Sequence, residues 1–136
     1  MSDPGSAAER WVMYALKACY SNRDIKTLEY WATCAAVSYT ALRECCDLVG
    51  IPPGDACHLV RVLRAVIHAA VEECSPGVLL DVGDRRTRDR LLARAALDSS
   101  SPASMEVFFR SQQFAPADNV AIRLLHQILT SRTSQS

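Results

Sequence analysis

Residues 24–67, DIKTLEYWATCAAVSYTALRECCDLVGIPPGDACHLVRVLRAVI, are the stretch on which the fold turns. Their spacing predicts three helices. Asp24 or Thr27 opens the first, with Glu29 in its early turns, where a carboxylate meets the positive end of the helix dipole. The small residues Ala35-Ala36-Val37 close that helix into a tight turn. Ser38 follows as an N-cap, its hydroxyl placed to accept from an orphan N–H of the second helix, Tyr39 to Val49. Gly50 stops the second helix, because glycine best adopts the left-handed conformation there, and Pro52-Pro53 prevents continuation. Asp55 opens a longer third helix, running to about Glu73, with Leu59, Val62, Leu63, Val66, Ile67 and Ala70 on one apolar face. At about 1.5 Å per residue it would be roughly 27 Å long, enough to hold two lobes apart.

The chain has 136 residues, room for one domain or for two small lobes sharing a helix. A 49% hydrophobic content with only 5 glycines favours a helical globular chain over a disordered one. No apolar run reaches the ~18 residues a membrane span needs, so no membrane contact is expected. The start, MSDPGSAAER, lacks the layout of a signal peptide, and a cytoplasmic location is the expectation.

Fifteen basic residues balance fifteen acidic ones, whereas nucleic-acid binders usually carry a basic excess. Any excess here is local: Arg85, Arg86, Arg88, Arg90 and Arg94 stand against Asp84 and Asp89. By itself such a run is more often a solvated helix face than a site. The six cysteines form no CxxC pair. Cys45-Cys46 with Cys57-His58 comes nearest to a metal constellation, but adjacent helical residues project about 100° apart and do not readily share one ion. Small buried thiols at helix contacts are the favoured reading, with no metal and no cofactor. No paired carboxylate in apolar context, no glycine-rich phosphate loop and no Ser/His/Asp spacing points to catalysis, so no enzyme is expected.

Outward from the opening stretch, Ser6 and Glu9 have the spacing of a capping box. They begin an amphipathic helix with Trp11, Tyr14, Ala15, Ala18 and Cys19 on its apolar face. On the other side, DRRTRDRLLARAAL from Asp84 aligns with DIKTLEYWATCAAV from Asp24. After a three-residue insertion the correspondence resumes: Ser38 with Ser101, Cys45-Cys46 with Phe108-Phe109, Ile51 with Phe114, Asp55 with Asp118. Ser101-Pro102 has the signature of a helix start. A correspondence of this length predicts a duplicated supersecondary unit.

A short helix, a tight turn and a capped second helix describe a helix-turn-helix. The order of leading helix, helix-turn-helix, connecting helix, second helix-turn-helix and closing helix resembles an AraC-type DNA-binding domain over about residues 7 to 131. The resemblance implies an all-α fold of about seven helices in two related helix-turn-helix subdomains. It divides the chain into a tail and supporting helix (1–23), a first helix-turn-helix (24–54), and a connecting helix with linker (55–83). A second, degenerate helix-turn-helix (84–115) and a closing helix and tail (116–136) complete it. Arg61 and Arg64 would lie on the connecting helix. It further implies a small bacterial transcriptional regulator whose partner is double-stranded DNA, together with a protein partner or a second copy of itself.

The residues expected to meet DNA are Ser38, Tyr39, Thr40 and Arg43 on the first recognition helix, with Ser101 and Ser104 at the start of the second. Arg85, Arg86 and Arg88 are expected to grip phosphates. Glu44 and Asp47 on the first helix would repel phosphate, and Glu106 makes the second helix a poorer reader. An alternative reading is a helical adaptor that keeps the fold and contacts protein, with Phe108, Phe109 and Phe114 as anchors if they are exposed.

Overall fold

The computed structural model describes residues 4–95, 97 and 104–134. The fold is all-helical, with seven α-helices and no strand among the described residues: α1 (Pro4–Cys19), α2 (Leu28–Ala35), α3 (Tyr39–Val49), α4 (Pro53–Glu72), α5 (Arg85–Arg94), α6 (Met105–Ser111) and α7 (Val120–Ser134). A single 3-10 turn, Pro76–Leu79, stands between α4 and α5.

Local chemistry explains most of the boundaries. Thr27, rather than Asp24, caps α2, its hydroxyl accepting from the Tyr30 N–H at 3.0 Å. Ala36 ends α2 in the left-handed conformation (φ 58°) and Ser38 caps α3 by accepting from the Ala41 N–H at 3.0 Å. Gly50 ends α3 at φ 77°, with its own N–H and that of Ile51 closing on Asp47 and Cys46. Two expected starts are displaced. α4 begins at Pro53, two residues before Asp55, because proline at the first helical position loses no hydrogen bond and has its φ already set. α1 begins at Pro4, so Ser6 lies inside the helix and forms no capping box with Glu9.

α4 is the axis of the molecule. Twenty residues make it about 30 Å long. Every residue from Leu59 to Val66 is buried, including Val60, Arg61, Arg64 and Ala65, which lie off the expected apolar stripe. Ala70, expected on that stripe, is exposed. The reason is tertiary. α1, α2 and α3 pack on α4, as do the 3-10 turn, α5 and α6, so its middle is covered all round. α1 in turn packs on α2, α3 and α7 as well as α4. One hydrophobic core therefore runs from Trp11 through Trp31, Leu42, Leu59 and Leu63 to Phe108 and Leu125. Trp11 and Trp31 meet edge to face at 6.2 Å, a geometry worth about 1 kcal/mol beyond area burial.

In the second half, Asp84 caps α5 through the Arg86 N–H. Ser104 caps α6 through the Val107 N–H, three residues beyond the expected start at Ser101-Pro102, which lies outside the described residues. Phe108, Phe109 and Phe114 are buried, so they are core and not exposed anchors. Asn119 caps α7, accepting from the Ala121 and Ile122 N–H groups, and its amide reaches back to the Val49 carbonyl at 2.8 Å.

Candidate nucleic-acid interface

What aims the exposed helices is a buried polar node on α4. Arg61 makes three hydrogen bonds to the Asp24 carboxylate, at 2.8 to 3.0 Å, with both side chains less than a tenth exposed. Asp24 also accepts from the Asp81 N–H at 2.6 Å, and Arg61 donates to the Asp81 carbonyl. One turn along, Arg64 donates to the Ser21 and Leu79 carbonyls, and His68 meets the Cys19 carbonyl at 3.0 Å. The second buried cation thus sits at the carbonyl end of α1, where the helix dipole is negative. Together these bonds tie the loop before α2 and the loop before α5 to the same stretch of α4. Sequence reading placed Arg61 and Arg64 on this helix but missed their burial. The signal was their position inside an apolar run, HLVRVLRAVI.

Four of the expected site residues come together at the start of α3. Ser38, Tyr39, Thr40 and Arg43 are all exposed, while Leu42, Cys45 and Cys46 on the opposite side enter the core. The Ser38 oxygen is occupied by the cap, which leaves its O–H able to donate. The Arg43 guanidinium lies over the Tyr39 ring, 5.6 Å from its centroid, and donates to the phenol oxygen at 3.3 Å. Glu44 and Asp47 are exposed on the same helix.

Three others gather at the start of α5. Arg85 and Arg86 are exposed, and the first turn holds no acidic residue. Arg88 is half-buried, packed beside Gly77, where a Cβ would meet its Cδ at 3.4 Å. Arg85 and Arg88 both face Asp89, at 3.9 and 3.6 Å. Arg94, at the other end, pairs with Asp55 at 3.2 Å and covers the Phe114 ring at 4.5 Å, which makes it part of the scaffold. α3 and α5 both rest on α4, and among the described residues no hydrogen bond or ion pair joins the two sets.

α6, expected as the second recognition helix, is short and mostly committed. Its seven residues bury Phe108 and Phe109, and Glu106 faces His126 at 3.5 Å while His126 stacks on Phe109. Ser104 serves as the cap, and Ser101 lies outside the described residues.

The thiols offer no reactive centre in the core. Burial pushes Cys19 and Cys46 up to about 12 and Cys57 up to about 11, opposed by Arg64, the Trp11 N–H and Arg61 respectively. Burial raises Cys45 too. Among the described residues no group of three His, Cys, Asp or Glu side chains is placed to hold a metal. No described helix is long and apolar enough to cross a membrane.

No protein-family model matches the chain, and neither a curated protein nor a solved structure matches it at a significant level.

Proposed function

We propose that the chain is a small DNA-binding protein, an AraC-like bacterial transcriptional regulator that reads duplex DNA through α3. The observation that carries this reading is the α2–turn–α3 unit. A three-residue connection, Ala36 to Ser38, presents an 11-residue capped helix whose first turns expose Ser38, Tyr39, Thr40 and Arg43 while its other side is anchored in the core. Base readers lie in the N-terminal part of a recognition helix, and arginine, threonine and tyrosine have the donors for base edges and phosphates.

α5 fits a supporting role. Arg85 and Arg86 put exposed cations at the N-terminus of α5, where the capping Asp84 and the neighbouring Asp89 offset part of the positive charge. A phosphate there would meet the guanidinium groups of Arg85 and Arg86, the Arg86 N–H being held by Asp84. Such contacts supply affinity without sequence information. α6, with Glu106 exposed and its aromatics buried, contributes fold rather than reading.

Fluorescence anisotropy with a random-sequence duplex pool, at low and at physiological salt, tests this. The native chain is expected to bind at low salt and to weaken steeply as salt rises. Arg43→Ala and the double replacement Arg85→Ala/Arg86→Ala are expected to weaken binding, the latter with a salt slope shallower by about 1 to 2. No binding at low salt would overturn the proposal. It would then favour a helical adaptor, the reading that exposed Glu44, Asp47 and Leu48 on α3 support.

A further inference from the structure

We propose that Tyr39 is a positioning residue, holding the Arg43 guanidinium ready to grip a guanine; this rests on α3 being the DNA-reading helix. Arg43 has two exposed neighbours one turn away on α3, Tyr39 before it and Asp47 after it. Simple Coulomb attraction would turn it toward the carboxylate. Instead the guanidinium lies over the Tyr39 ring and its Nη1 donates to the phenol oxygen. Among the described residues no ion pair joins Arg43 to Asp47.

Two consequences follow for a partner. The guanidinium keeps its charge unneutralised, because an aromatic face and a phenol oxygen orient the cation without cancelling it. Its Nη1 is engaged, and the Nε–Nη2 edge has no partner among the described residues. That edge presents two parallel donors, the geometry that matches the O6 and N7 acceptors of guanine. Holding the side chain against a ring in advance also lowers the freedom lost on binding. Asp47, on the far side of Arg43, would compete for the same donors if the ring were absent.

Selection of bound sequences from a randomised duplex pool, run for the native chain, Tyr39→Phe, Tyr39→Ala and Arg43→Lys, tests the inference. The native chain is expected to enrich a guanine at one position by about tenfold to a hundredfold over other bases. Arg43→Lys and Tyr39→Ala are expected to relax that position and leave preferences elsewhere intact, whereas Tyr39→Phe, which keeps the ring, retains most of it. Nitrogen-15 relaxation of the Arg43 Nε in the free protein provides a readout without DNA: ordered in the native chain and mobile in Tyr39→Ala. Equal guanine enrichment by the native chain and Tyr39→Ala overturns the positioning role while leaving DNA binding in place, as does equal mobility of Arg43 in both. If no duplex is bound although Arg43 is ordered, the DNA reading itself has failed and the guanine assignment falls with it.

Discussion

Cys19, Cys45, Cys46 and Cys57 lie in the core while Cys34 and Cys74 are partly exposed, and no pair is joined. The thiolate is the reactive form, and burial disfavours it. A chromogenic disulfide reagent is therefore expected to titrate two thiols rapidly in the native chain and all six after denaturation; rapid reaction of more than two in the native chain would contradict the packing. His58 is the other residue whose ionisation the fold changes. It is half-buried against the Phe114 ring, and its pKa is lowered from 6.5 by burial, then by Arg94 and Arg61, against a smaller pull from Asp55. The unfolded chain thus takes up this proton more readily than the folded one as pH falls. Stability from this group is present above about pH 6.5 and is lost below it, until the folded-state pKa is passed. His58→Gln is expected to lose less Tm than the native chain between about pH 7 and about pH 5. An equal or greater loss would mean that His58 does not carry the dependence.

At the scale of the element, α3 ends at Gly50 in the left-handed conformation, with the Asn119 amide donating to the carbonyl of its last residue, Val49. Gly50 sits at φ 77°, and a Cβ added there would meet nothing nearer than the Asn119 amide nitrogen at 4.0 Å. The cost of Gly50→Ala is thus conformational and not steric, about 1 kcal/mol, visible as a lower urea midpoint with unchanged m-value. The replacement should leave α3 folded, since Ser38 caps its start and Leu42, Cys45 and Cys46 anchor its inner face. The contrast between α3 and α6 is also a matter of elements. α3 has three turns, with a polar side left for solvent, whereas α6 has two and buries Phe108 and Phe109. The two triplets α2–α3–α4 and α5–α6–α7 follow one order. The correspondence between them remains one of sequence.

For the whole molecule, the Asp24–Arg61 pair is the contact with the widest reach, since it binds the loop before α2, the middle of α4 and the Asp81 backbone together. Removing one partner of a buried pair leaves the other charge without compensation. Asp24→Asn is expected to cost about 3 to 5 kcal/mol, a large share of the ~5 to 15 kcal/mol typical of a domain. The double replacement Asp24→Asn/Arg61→Met should cost less than Asp24→Asn alone, because it removes the stranded cation. A larger loss in the double variant, measured by denaturant unfolding, would show that the pair adds more than mutual neutralisation. Since both α2 and α5 hang from this node, the single variant should also disturb the placing of Arg43 on α3 and of Arg85 and Arg86 on α5.

Short-range chemistry explains what the sequence determined by itself: the Ser38 cap, the Gly50 stop, the burial of Leu59 and Leu63, and the all-helical class. Each depends on residues a few positions apart, through capping geometry, backbone freedom and helical period. Ser38, Tyr39, Thr40 and Arg43 were expected at the exposed start of the second helix from the resemblance, and all four are exposed. The start of α4 at Pro53 was equally local but was missed, because Asp55 offered the stronger cap signal and the proline rule won. Only the tertiary structure decided the rest. Arg61 and Arg64 were placed on the connecting helix by sequence, but their burial came from the Ser21, Asp24, Leu79 and Asp81 loops that bond to them. Arg88 and Arg94 left the solvated charge run because Gly77 and Phe114 offered surfaces to pack on. Partners 11 to 43 residues away in the chain set these fates, and no periodicity within one helix encodes contacts at that separation.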